Sequence, residues 1–118
     1  MLPIFIMKIN INNHLWDIIY TSDLNNLKRS DGTITLGVTD INLMTIFIYS
    51  NLNNYMRSKV LIHELTHAYM FSYNYYIPLD QEEFICSFVE NYAIDIINQC
   101  DYILYNYYAH SMPLESSY

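Results

Sequence analysis

Residues 60–72 are Val-Leu-Ile-His-Glu-Leu-Thr-His-Ala-Tyr-Met-Phe-Ser, inside a segment, residues 54–71, that has neither glycine nor proline. One set of small and apolar residues recurs there at helical spacing: Leu61, Leu65, Ala68 and Ser72. This spacing predicts an α-helix with one buried stripe. The predicted helix lies at the middle of the chain, between a strand-rich first half and a helical second half.

The middle of this helix carries an HExxH motif, His63-Glu64-Leu65-Thr66-His67. Residues four apart share a helix face, so both imidazoles can bind one Zn²⁺. Glu64 points about 100° away around the helix axis, so it flanks the metal and can act as general base on the attacking water. A chance match is the alternative, but the apolar residues before the motif and the acidic helix after it favour a metal site.

The first half of the chain predicts strands. Ile9 and Ile11 alternate with polar residues, and Asn12-Asn13 predicts a tight turn into a second strand, residues 15–21. Residues 33–39 and 44–50 predict a further hairpin. Strands followed by helices, without βαβ alternation, predict an α+β fold. We expect a single minimal domain, residues 1–118, in which a small antiparallel sheet (strands about 4–50) is covered by two helices (about 54–72 and 80–99).

The second predicted helix supplies three candidates for a third metal ligand: Glu82, Glu83 and Glu90. Asp80 is the predicted N-cap, with Glu83 at the matching capping-box position, and the helix is expected to end near Gln99. A short helix and a frayed end are expected from residue 101 onward. On a helical wheel Glu82 lies nearest the middle of the apolar stripe, with Glu83 and Glu90 on its shoulder, so the wheel leaves the choice open.

Charge and composition exclude several function classes. The formal net charge is −7, from twelve acidic and five basic residues. Nucleic-acid binding requires clustered Lys and Arg, and the chain offers only the pair Lys28-Arg29. We therefore expect neither nucleic-acid nor membrane binding, and no stretch approaches the roughly 20 apolar residues of a membrane span.

Two further features predict a cytoplasmic protein. Residues 2–7 are apolar but lack a basic region and a cleavage site, so they do not predict a signal peptide. Cys86 and Cys100 are 14 residues apart on the second helix, about 21 Å, which is too far for a disulfide. Both are expected to be reduced, buried thiols.

Other polar candidates for the site are weaker. His14 and His110 have no ligand spacing, and surface or edge positions are expected for them. Three tyrosines follow the HExxH helix, where a phenol can stabilise an oxyanion. Packing is the favoured role for each of them in so tyrosine-rich a chain: Tyr73, Tyr75 and Tyr76.

Residues 61–87 resemble the ImmA/IrrE family of zinc peptidases, which is common in prophages and mobile elements. That family places a Glu ligand on the helix after HExxH, followed three residues later by a small Ala or Cys and then a small polar residue. Glu83-Phe84-Ile85-Cys86-Ser87 fits this pattern, so the resemblance implies Glu83 as third ligand. The family's Leu-Met-Pro run and its helix-turn-helix segment are absent. The resemblance implies a zincin core that cuts a regulatory protein, such as a phage repressor.

Zinc-dependent peptide hydrolysis by His63, His67, Glu83 and Glu64 is therefore the expected function. An extended protein or peptide substrate is expected to add to an exposed sheet edge, residues 44–50. The alternative is a non-catalytic zincin-fold module that binds a partner protein. A purely structural zinc would need a fourth protein ligand, which neither His14 nor His110 is spaced to provide.

Overall fold

The computed structural model describes residues 5–115, with side chains described for residues 5–111. The described chain begins with a sheet of four strands: β1 (Phe5–Ile11), β2 (His14–Thr21), β3 (Gly37–Asp40) and β4 (Thr45–Tyr49). Two helices follow: α1 (Asn54–Ser72) and α2 (Leu79–Glu115). The predicted α+β fold is confirmed. The expected strand start near residue 4 lies outside the described residues.

The strand order in the sheet is β1-β2-β4-β3. β1 and β2 form the predicted hairpin, whose two turn residues, Asn12 and Asn13, both have positive φ (49° and 64°), as tight hairpin turns require. β3 and β4 are also antiparallel, but β2 and β4 are parallel. The sheet is therefore mixed, and the prediction of a wholly antiparallel sheet is wrong at this pair. The cause is that the chain reverses direction at β3 and again at β4, and β4 then lies between β3 and β2.

The third strand is shorter than predicted and lies at a different place in the sheet. β3 begins at Gly37 rather than at residue 33, because Ile34 makes only an isolated bridge to Lys28 and remains exposed. β3 also occupies the sheet edge, and β4 is interior. The expectation that residues 44–50 form an exposed edge is therefore wrong.

One face of the sheet packs on α1. Its core is fully or almost fully buried and consists of Ile11, Trp16, Ile18, Ile46, Ile48 and Ala68. Leu61 and Leu65 pack against this core, while Ala68 and Ser72 are completely buried, as the predicted stripe requires. The Trp16 indole N–H donates to Ser72 Oγ at 2.8 Å. This bond satisfies the polar atoms of two buried side chains.

The second helix packs mainly on α1 and not on the sheet, so a single helix covers the sheet. It begins at Leu79, where the Pro78 carbonyl accepts the backbone N–H groups of Gln81 and Glu82 at 3.0 Å. Asp80 therefore lies within the first turn and is not the predicted N-cap. The helix also continues past its predicted end near Gln99 to Glu115, because no glycine or proline interrupts that stretch before residue 113.

The two cysteines are unbridged, as predicted, but they differ in environment. Cys86 is completely buried, whereas Cys100 is exposed on α2, which corrects the expectation that both are buried. Within residues 5–115, neither helix combines the length and the hydropathy that a membrane span needs.

We predict that Ser72→Ala lowers the free energy of unfolding by about 1–3 kcal/mol, because it leaves a buried indole N–H without an acceptor. Urea denaturation measures the loss. In the background of Trp16→Phe the same substitution should cost much less, since no indole N–H remains. Additive losses in this double-mutant cycle would show that the hydrogen bond does not couple the two side chains.

Candidate metal centre

The two histidines of the HExxH motif lie side by side on the face of α1 that meets α2. Their side chains are largely buried, with 14% of His63 and 11% of His67 exposed. Their ring centroids are 5.1 Å apart. The four-residue spacing thus brings the two imidazoles together on the side of α1 away from the sheet.

Both imidazoles direct their Nε2 atoms at one carboxylate, that of Glu83. His67 Nε2 lies 2.5 Å from Glu83 Oε1, and His63 Nε2 lies 3.4 Å from Glu83 Oε2. Two nitrogens and one carboxylate oxygen form a donor set that suits zinc in a site with three protein ligands. The residues present therefore fit the metal that the motif predicts.

The other ring nitrogens contact the two remaining acids of α2. His63 Nδ1 lies 2.8 Å from Glu90 Oε1, and His67 Nδ1 lies 2.5 Å from Glu82 Oε2. A carboxylate on Nδ1 fixes the ring orientation and increases the basicity of Nε2, an arrangement common around metal-binding histidines. The helical wheel could not choose among the three glutamates as third ligand. The structure distinguishes them, because Glu83 contacts the Nε2 atoms whereas Glu82 and Glu90 contact the Nδ1 atoms.

The site carries an excess of negative charge. Four carboxylates lie around the two imidazoles: Glu64, Glu82, Glu83 and Glu90. Among residues 5–111, Lys59 is the one lysine or arginine that pairs with these carboxylates, with its Nζ 3.8 Å from Glu90 Oε2. Coulomb repulsion among partly buried carboxylates is reduced by a bound cation, so the charge of the site favours a divalent metal.

Glu64 lies apart from these contacts and faces the edge strand β3. Only 8% of Glu64 is exposed. The Thr39 hydroxyl lies within donating distance of two Glu64 oxygens, Oε1 and the backbone carbonyl, each at 2.9 Å. Burial raises the pKa of the Glu64 carboxyl, although His63, the Thr39 hydrogen bond and His67 act in the opposite direction. A carboxylate with a raised pKa, next to the two histidines, suits a general base.

Gly37, at the start of β3, makes room for Glu64. A Cβ at this position would lie 2.7 Å from Val60 Cγ1 and 2.9 Å from Glu64 Cγ, closer than real Cβ contacts allow. This close approach at Gly37 was not predicted from the sequence. The one signal for it in the sequence was a glycine inside a predicted strand, which often marks close packing.

Cys86 is a second residue whose place at the site was not foreseen. Its Sγ and one ring nitrogen each of His63 and His67 lie within 4.8 Å of one another. Burial, and then the nearby carboxylates of Glu83 and Glu82, raise the pKa of its thiol to about 12. Glu83 is the third ligand that the distances favour, because its carboxylate contacts both Nε2 atoms.

A cavity of about 530 Å³ opens between β3 and the start of α2. Its lining includes Lys28, Arg29, Val38, Asp40, His63, Glu64, His67, Leu79, Glu82 and Glu83. Within the described chain, none of the three tyrosines after α1 lines it. All three are exposed (Tyr73 49%, Tyr75 64%, Tyr76 72%), so the packing role expected for them is not confirmed. His14 contacts the Asn12 carbonyl and Phe71, and the structure brings neither it nor His110 into the cavity.

Comparison of the chain with protein-family models, with curated proteins and with solved structures found no match. The resemblance of residues 61–87 to the ImmA/IrrE family therefore stays a prediction.

We predict that Gly37→Ala destabilises the fold by about 1–3 kcal/mol, because the added methyl overlaps Val60 and Glu64. Thermal and urea denaturation measure the loss. In the Gly37→Ala protein, Val60→Ala should cost less than it does in wild type, since it removes the closest overlap. Equal costs of Val60→Ala in the two backgrounds would mean that β3 shifts freely and that Gly37 does not position Glu64.

Proposed function

We propose that this protein is a zinc-dependent peptidase with Glu64 as its general base. The observation that carries the proposal is the convergence of both HExxH Nε2 atoms on the Glu83 carboxylate, with Glu64 beside them. His63, His67 and Glu83 would hold the metal as three protein ligands, which leaves one position open for water or substrate. When bound, zinc supplies a Lewis acid that polarises the scissile carbonyl and acidifies water.

Glu64 moves the proton in this reaction. Its carboxylate accepts a proton from the attacking water and later delivers that proton to the leaving amine. The hydrogen bond from Thr39 holds Oε1, so the orientation of the carboxylate is set by the edge strand as well as by α1. Neither step requires Glu64 to bind the metal.

The substrate of this reaction is proposed to be an extended segment of a protein, bound along β3. β3 is an edge strand, and its residues 37–40 line the cavity beside the two histidines. A peptide that adds to a free edge gains main-chain hydrogen bonds, and its scissile bond would lie next to Glu64. The family resemblance favours a regulatory protein, such as a phage repressor, cut in the cytoplasm.

The position of Cys86 supports one competing proposal, a closed structural zinc site. With His63, His67, Glu83 and Cys86 as four ligands, no position would remain for water or substrate. The contact of Glu83 with both Nε2 atoms and the burial of Cys86 among carboxylates favour the open, three-ligand site.

We predict that the purified protein binds about one zinc per chain and that His63→Ala or His67→Ala abolishes this binding. Glu83→Gln should weaken zinc binding strongly, because a neutral amide replaces an anionic ligand. Glu82→Gln and Glu90→Gln serve as matched controls. Each should lower zinc affinity by about 10–100-fold or less, the range found for residues that orient metal ligands. Metal analysis and competition with a chromogenic chelator measure the affinities.

Cys86→Ala separates the open site from the closed one. Zinc affinity should change little if Cys86 only packs, and it should fall as steeply as in Glu83→Gln if the thiolate is a ligand. A protein without zinc, whose melting temperature does not respond to added zinc, would contradict the metal site itself.

We predict that Glu64→Gln leaves fold and zinc affinity nearly intact but lowers the rate of peptide-bond cleavage by about 10²–10⁴-fold, the contribution of general acid–base assistance. Before a substrate is known, the variant should retain an uncut partner protein that wild type releases as fragments. Mass spectrometry of the co-purified protein identifies the partner and the cleavage site.

The non-catalytic binding module predicts a different outcome. Wild type and Glu64→Gln would hold the same partner equally well, and both would leave it intact during long incubation with zinc. That result would replace the peptidase proposal with a binding function.

A further inference from the structure

The second helix extends far beyond the rest of the molecule. Its 37 residues span about 55 Å, and the longest dimension of the described chain is 62 Å. The radius of gyration is 18.4 Å, whereas a compact chain of this length has about 13–14 Å. The far half of α2 therefore projects away from the sheet and α1.

The first half of α2 buries one stripe of its surface. The half-buried or buried residues of this stripe follow a three- and four-residue spacing: Glu82, Glu83, Cys86, Val89, Glu90 and Ala93. This is the side that meets α1, since Glu82, Glu83 and Glu90 contact His63 and His67. Burial along the stripe ends at Ala93.

The same stripe continues along the projecting half of α2, where no other part of the described chain packs on it. Its next residues keep the spacing and are all apolar: Ile96, Ile97, Cys100, Ile103, Leu104 and Tyr107. All of them are exposed, with Ile96 at 54% and Ile103 at 63%. The charged residues Asp95 and Asp101 lie outside the stripe. An apolar stripe of this regularity is the signature of a helix that packs against another helix.

The polar side of the projecting half argues against a membrane as the cover. Helices that lie on anionic membranes carry Lys and Arg on their polar face. Here the side opposite the stripe carries Asn91, Asp95, Asn98 and Asn106, interspersed with exposed Ile94, Tyr102 and Tyr105. No Lys or Arg follows Lys59 in the sequence. A protein helix is the better fit.

We propose that the projecting half of α2 pairs with the same segment of a second copy of this chain, in antiparallel orientation. One row of the stripe, with alternating three- and four-residue steps, alternates small and large residues: Ala93, Ile96, Cys100 and Ile103. Ile97 and Leu104 flank this row. In an antiparallel pair each layer joins a small residue to a large one, with Ala93 opposite Ile103 and Ile96 opposite Cys100. A parallel pair would place small on small and large on large, which leaves gaps and overcrowded layers. This proposal does not depend on the peptidase function.

The length of the helix–helix contact determines the expected affinity of the dimer. Residues 93–103 span about 15 Å of helix, and the turns beyond Ile103 would run beside the globular part of the second copy. An interface of this length lies at the lower end of the size range of specific complexes. The dimer is therefore expected to form at micromolar or higher concentration and to dissociate on dilution.

Sedimentation equilibrium over concentrations from low micromolar to several hundred micromolar tests the proposal. Wild type should pass from monomer to dimer, whereas the double variant Ile96→Glu/Ile103→Glu should stay monomeric over the whole range. Asn98→Glu adds a charge on the opposite side of α2 and should dimerise as wild type does. Because all three substituted side chains lie in the exposed half, circular dichroism and melting temperature should remain those of a folded protein.

The thiol of Cys100 tests the orientation. In the antiparallel pair the two Cys100 residues are displaced by about 6 Å along the axis, so a short bismaleimide should link them, while mild oxidation should not. The Cys100→Ser variant should remain unlinked. Rapid disulfide formation would contradict the antiparallel arrangement. A wild type that stays monomeric at all concentrations, or that binds lipid vesicles as a monomer, would overturn the second copy as partner. The same holds if Asn98→Glu abolishes the dimer as fully as Ile96→Glu/Ile103→Glu does.

Discussion

The geometry of the site depends on which side of α1 faces the sheet, which faces α2 and which faces the edge strand β3. Ala68 and Ser72 lie on the side that packs on the sheet, and the two histidines lie on the opposite side, toward α2. Glu64 is one residue from His63, about 100° around the axis, which turns it to the edge strand β3. Packing against the sheet therefore fixes the rotation of α1, and that rotation determines what each functional side chain meets.

The four carboxylates make the packing of the two helices sensitive to charge. Glu82, Glu83 and Glu90 face the histidines from α2, and a buried arrangement with surplus negative charge is unfavourable without a compensating cation. A divalent metal at His63 and His67 would offset this repulsion and join α1 to α2. If a metal binds there, its binding and the docking of α2 on α1 would be linked energetically.

Much of this arrangement follows from local sequence patterns, and the exceptions have identifiable causes. The Asn12-Asn13 hairpin and the bounds of α1 were predictable because turn chemistry and helical spacing act between residues close in the chain. The parallel pairing of β2 with β4 and the edge position of β3 were missed, because strand order depends on contacts distant in sequence. Ile34 and Leu36 alternate as strand residues do, yet Ile34 makes only an isolated bridge to Lys28, and Leu36 lies just outside β3, where its carbonyl accepts the Tyr49 backbone N–H.

At the candidate site, too, the sequence alone could not predict contacts between residues distant in the chain. The motif placed His63, Glu64 and His67 on one helix, but a helical wheel of α2 alone could not distinguish the acids. Only the position of α2 relative to α1 assigns Nε2 to Glu83 and the two Nδ1 atoms to Glu82 and Glu90. Gly37, Thr39 and Cys86 were missed for the same reason, since each acts across a tertiary contact.

The unbroken course of α2 has a mechanical consequence. The residues from Glu83 to Tyr107 form one stiff helix of about 36 Å, with carboxylates that contact His63 and His67 near one end and an uncovered apolar stripe near the other. A rigid helix transmits tilt along its whole length, so any tilt of α2 would move Glu82, Glu83 and Glu90 together relative to His63 and His67.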